Sequence, residues 1–199
     1  MPIDDHRHGG EHSQGGWKCC TKCKRIPSID LDAVLTLCYK QVNVIVQLSK
    51  GESLPSNLDV KHVEQILDLI QTTTERLNEK VNIGHWLSCR LHDAAYHLTR
   101  ALCIRCRRYE SLMSLYNRSV NMCAIHSRIA IMAWAPIIAS TSSLMGHLLE
   151  RASEAVTAEA GLLDGKDDRI KLEKKQLLEE AKEFGRQAHH VLNGVCGVY

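Results

Sequence analysis

The chain has 199 residues, 44% of them hydrophobic and 24% charged, with a net charge of +2 at neutral pH. This composition is ordinary for a folded chain and excludes wholesale disorder. The near-zero balance excludes a global field that would recruit nucleic acid or anionic membrane, so local clusters must carry any such contact.

Residues 1–27 open the chain with histidines, acids and the glycine pairs Gly9-Gly10 and Gly15-Gly16, closing on Pro27. They are expected to form a flexible tail ahead of a helical domain at 28–199. Met1 to Gly16 lacks the apolar core of a secretory signal. The nine cysteines are therefore expected to stay as thiols in the nucleus or cytoplasm, or to bind metal.

Ser28 has the hydroxyl of a helix N-cap, and apolar residues follow at steps of three and four: Leu31, Val34, Leu35, Cys38, Val42, Ile45 and Leu48, up to Gly51. A turn at 51–57 precedes Ser56 and Asp59, spaced three apart as in an acidic capping signal. The second helix carries the cleanest seam, Val60, Val63, Leu67, Ile70, Thr74, Leu77 and Val81, flanked largely by charges and closed by Gly84. Its apolar members, Val60, Val63, Leu67, Ile70, Leu77 and Val81, are the candidate surface for a protein partner or a second copy.

A third helix is expected from about Trp86 to Tyr116 and a fourth from about Val120 to Trp134. Pro136 lacks the amide that would continue the fourth, so it must kink or break there. The apolar run Ile129–Ala139 contains that proline and falls short of the roughly 20 residues a bilayer span needs. No membrane association is expected. A fifth segment reaches about Ala160, a Gly- and Asp-rich loop follows, and a last helix carries Ile170, Leu177, Ala181, Phe184, Ala188, Val191 and Val195 along one face. Period-two alternation is sustained nowhere. The chain thus reads as all-α, a bundle of five to six amphipathic helices that bury their stripes against one another.

Three clusters offer chemistry. Cys20-x2-Cys23 has the spacing of half a structural zinc site, with Cys19 and His12 available to complete it. Zinc is thus the one candidate cofactor, and a small zinc-binding protein is the alternative function. Cys89-x2-His92 and Cys103-x2-Cys106 each share a helix face, but the pairs lie about 21 Å apart along a continuous helix; core thiols are the expectation there. Arg100, Arg105, Arg107 and Arg108 place four cations on one helix and are the candidate nucleic-acid contacts, although their spacing spreads them over more than one face. A solvated or ion-paired face is the plainer reading of that set. His62, His85, His97, His126 and His147 are scattered singly. Phosphate-loop, metalloprotease and serine-elbow motifs are absent, so no enzyme is expected.

Two stretches carry a family resemblance. Residues 58–116 offer the Val60–Val81 helix, Cys89, and a Leu-rich helix ending near Arg108-Tyr109; residues 156–195 offer Gly161-x2-Asp164, an acidic loop, then Leu172, Leu177 and Leu178. Together they resemble the helical regulatory region of fungal zinc-cluster transcription factors of the aflatoxin-regulatory type. That resemblance implies a regulator of secondary-metabolism genes acting in the nucleus. The six-cysteine cluster of the family is missing, so no DNA-reading site carries over. A non-enzymatic regulatory or protein-interaction domain is the expected function.

Overall fold

Two helices, α3 (Trp86–Cys106) and α4 (Met113–Trp134), form an antiparallel hairpin on which the other elements are built. On one side pack α1 (Ile29–Ser49) and α2 (Val60–Asn78); on the other pack α5 (Ser143–Leu162) and α6 (Asp168–Val195). The computed structural model describes residues 29–50 and 59–195, with side chains from 35 to 50 and from 59 to 194. Among them there is no strand, and the chain is an all-α bundle. No described helix is long and apolar enough to cross a membrane.

Periodicity placed the buried stripes well. Leu35, Cys38, Val42 and Ile45 of α1 meet Ile70 and Leu77 of α2 and Leu87, Leu91 and Leu98 of α3 in one core cluster. Burial of such side chains stabilises by about 1.5–3 kcal/mol each. A second apolar cluster joins Val63 and Leu67 to Leu102, Cys106, Leu112 and Leu115. Where α5 meets α6, alanines stand among larger apolar side chains. Ala155 and Val156 pack with Ala181, and Met145 and Leu149 with Ala188. Ser153 Oγ donates to the Ala181 carbonyl at 2.8 Å, and a Cβ placed on Gly185 would stand 3.2 Å from that hydroxyl. Small side chains let the two helix backbones come close.

Caps define the starts. Asp59 is itself the N-cap of α2, extended at φ −89°, ψ 170°, and its carboxylate accepts from the His62 amide at 2.8 Å. It is not the third-position partner expected of Ser56, which lies outside the described residues. His85 Nδ1 accepts from the Leu87 amide at 3.2 Å to start α3, and Ser142 Oγ from the Met145 amide at 3.2 Å to start α5. Pro136 ends α4 at Trp134, as its missing amide requires.

The boundary between the third and fourth helices differs from the expectation. The break falls at Arg107–Tyr109, not after Tyr116: Tyr109 is extended (φ −128°, ψ 120°) and one turn of 3-10 helix, Glu110–Leu112, leads into α4. Continued as one rod, α3 would carry Tyr116 about 15 Å beyond Cys106, away from the end of α2. Folding back places Leu112 and Leu115 against Val63 and Leu67 instead. Burial of two leucines outweighs the few helical hydrogen bonds lost at the elbow.

Candidate functional site: an arginine-rimmed groove

Between α3, α4 and α5 lies a cavity of about 190 Å3. Its walls are Tyr96 and Cys103 from α3, Tyr116, Val120 and Cys123 from α4, and Ala155 from α5. Arg100, Glu154 and Ala158 stand at its edge, Arg100 Nη2 lying 3.6 Å from Glu154 Oε2. Cys103 and Tyr116 also line a wider, more open recess of about 430 Å3, bounded by Ile104, Arg107 and Arg108. The two spaces therefore adjoin across Cys103 and Tyr116 as one groove, an apolar inner cavity beside an outer recess bordered by arginines.

Burial dominates the chemistry of the inner end. It pushes the Cys103 thiol up to about 12, with the neighbouring Cys123 adding to the shift, and Cys123 up to about 11. It also pushes the Tyr96 phenol up to about 12. All three groups are neutral at physiological pH, and the thiols are poor nucleophiles and poor metal ligands there. The charge of the groove is carried by its rim. Arg100 faces Glu154, and Glu110 begins the turn beyond Tyr109; Arg107 and Arg108 are exposed and have no ion-pair partner among the described residues.

The structure thus brings Arg100, Arg107 and Arg108 to one groove, while Arg105 is half-buried and does not line it. Arg100 spends its charge on Glu154. A nucleic-acid track along the helix is reduced to the two unpaired arginines at its end.

The seam on α2 is placed differently from the partner-surface expectation. Val63, Leu67, Ile70 and Leu77 have no solvent exposure and are held in the protein's own core, and Val81 packs half-buried against it. Only Val60, at the first turn, is exposed. The pattern was right as an amphipathic helix; its apolar face is satisfied within the chain.

The cysteine pairs of α3 lie on one uninterrupted helix, as their sequence implied. Cys89 Sγ donates to the Ala133 carbonyl at 3.3 Å, and Cys106 is buried in the core. Among the described residues no three metal-ligating side chains converge. The zinc candidates His12, Cys19, Cys20 and Cys23 lie outside the described residues.

One polar pair escaped the sequence reading. His126 is not an isolated boundary residue: it is buried and its Nδ1 lies 2.9 Å from Nδ1 of His92. The two are 34 positions apart on facing helices. Sequence showed only that each lies on a helix, His92 three residues after Cys89 and His126 three after Cys123.

No protein-family model, no curated protein and no solved structure matches the chain. The functional reading rests on the helical bundle and its groove.

Proposed function

We propose that this chain is a non-enzymatic helical interaction module that holds a protein partner at the elbow between α3 and α4. The observation that carries the reading is the composition of that elbow. Ile104, Tyr109 and Met113 are 54%, 57% and 44% exposed within ten residues of chain, and Arg107 and Arg108 lie between them. Tyrosine, methionine and arginine are enriched where proteins meet, and here three exposed apolar side chains and two exposed arginines fall within one short stretch of chain. The resemblance of residues 58–116 and 156–195 to a transcription factor's regulatory region extends the proposal to gene regulation in the nucleus.

Photo-crosslinking tests the reading. A benzophenone side chain placed at Met113 is expected to capture one defined protein, or a second copy of the chain. The same group at Lys175, on exposed α6, is expected not to capture it. Charge reversal of Arg107 and Arg108 should abolish the product. Equal crosslinking from both positions, or a product indifferent to charge reversal, would refute the elbow as the contact surface.

A further inference from the structure

The groove is more specific than its surface composition. Its inner cavity of about 190 Å3 has room for one bulky side chain, well short of the 300–1,000 Å3 of sites that enclose a drug-sized molecule. The walls there are apolar or carry neutral thiols and phenols, so an uncharged ring or branched aliphatic group gains most by entering. Tyr96 and Tyr116 both line the cavity and offer aromatic contact, where offset or edge-on ring pairs add about 0.5–1.5 kcal/mol beyond area burial.

The outer recess sets the charge of what lies beside that group. Arg107 and Arg108 bound it and have no carboxylate partner among the described residues, while Arg100 is already faced by Glu154. A guanidinium takes a carboxylate through two parallel N–H···O bonds. Two unpaired arginines next to a pocket for one side chain describe a short segment with a fixed order of features.

We propose that the groove binds an acidic peptide segment of the partner, seating one aromatic side chain between Tyr96, Val120 and Ala155 and its flanking carboxylates on Arg107 and Arg108. The assignment deepens the interaction reading above and depends on it. Single-stranded nucleic acid fits less well. Its affinity grows with the number of phosphates neutralised along a track, and among the described residues two unpaired cations border this groove. A base would also carry polar edges into a cavity with apolar walls, at the cost of unpaired hydrogen-bonding groups.

The test uses the full chain and a fluorescein-labelled, N-acetylated peptide with a central Trp among Asp residues, read by anisotropy. Three comparison probes are the same peptide with Trp changed to Ala, with Asp changed to Lys, and a labelled single-stranded oligonucleotide. The acidic Trp peptide is expected to bind, with affinity falling as salt rises. Loss of its ring or reversal of its charge should each weaken binding about tenfold or more.

Ala158 is exposed at the cavity's edge, so Ala158→Trp fills the mouth from outside the core and should weaken binding by a similar factor. Arg107→Glu with Arg108→Glu should do the same and remove the salt dependence. If either variant fails to fold, amide shift changes in the wild-type chain must localise to residues 96–123 and 154–158 on titration. The proposal is overturned if the acidic Trp peptide does not bind, if its Ala or Lys versions bind equally, or if the oligonucleotide binds more tightly. Specific crosslinking from Met113 alongside such a failure would retain the elbow and discard the acidic aromatic segment. Absence of both signals would discard the interaction reading itself.

Discussion

His92 and His126 meet in the interior of the α3–α4 hairpin, Nδ1 to Nδ1 at 2.9 Å, with 0% and 3% of their surfaces exposed. One ring must donate and the other accept, so at least one ring must be neutral, and burial favours both being so. His92 Nε2 has no hydrogen-bond partner among the described residues. The lower-cost arrangement puts the proton of His92 on Nδ1, donating to His126, and leaves a bare lone pair at Nε2 rather than an unpaired N–H.

Acid should therefore weaken the fold well before it reaches the range in which the pair itself titrates. Burial holds His92 down at about 4, and burial with the neighbouring His92 holds His126 down at about 3, against 6.5 for an ordinary histidine. Below about pH 6.5 the unfolded chain binds protons that the native chain refuses, so stability is greatest above that pH and falls as pH drops towards 4. Between pH 7 and pH 5 the loss is about 2 kcal/mol per histidine. Urea denaturation across this range reads it directly. The double variant His92→Leu, His126→Leu should flatten the slope, and an equally steep profile in that variant would remove the pair as its cause.

Arg128 ties three helices together. Its Nε and Nη2 donate to the two oxygens of Glu180 at 2.8 and 2.7 Å, and Nη2 lies 2.8 Å from Glu159. The side chains of Arg128 and Glu159 are only 24% and 20% exposed. Arg128→Ala leaves two carboxylates facing a partly buried gap and is expected to cost about 2–4 kcal/mol. Arg128→Lys should recover only part, because an ammonium cannot form the parallel pair of bonds. The guanidinium also holds the Glu180 carboxyl below its usual range. That contribution is present above the ordinary carboxylate pKa and is lost as pH falls through the depressed one. Thermal melts of both variants at pH 7 and pH 3 check the order.

Two glycines of α5 should respond in opposite directions to the same substitution. A Cβ on Gly146 would stand 2.7 Å from Cγ and Cδ2 of Leu192, so Gly146→Ala must push α6 or its leucine aside. Overpacking of about 1–3 kcal/mol exceeds the helix-propensity gain of up to about 1 kcal/mol, and the variant should be less stable. Beyond its chain neighbours and its own helix backbone, Gly161 has none of the described residues within 4 Å of such a Cβ. Gly161→Ala should be stabilising by about 0.5–1 kcal/mol. Differential scanning calorimetry decides both signs.

The α2 seam gives a positional contrast. Leu67→Ala removes a fully buried side chain facing Leu102 and Cys106 and is expected to cost about 2–5 kcal/mol. Val60→Ala, at a position 43% exposed, should cost less than about 0.5 kcal/mol. A similar small loss at both positions in chemical denaturation would contradict the inward placement of the seam.

Sequence was sufficient for whatever depends on neighbours along the chain. The spacing of three and four that brings Val63, Leu67, Ile70 and Leu77 onto one side of a helix is a local geometric fact, and so is the stop that Pro136 imposes on α4. The all-α class followed from that periodicity, and the continuity of α3 from Cys89 to Cys106 followed from the lack of Gly or Pro between them.

Tertiary structure decided the rest, because contact between helices is set by how each rotates and where it turns. No residue from Arg107 to Tyr109 is a helix breaker, yet the chain reverses there because Leu112 and Leu115 gain more against Val63 and Leu67 than a longer rod would gain in solvent. The same reversal brings Tyr116 beside Cys103 and Arg107 to make the groove, and sets His126 against His92 across 34 residues. Local propensity has no term for such partners. Burial, which acts on whatever the fold brings together, turned the α2 seam inward and left the arginine-rimmed groove on the outside.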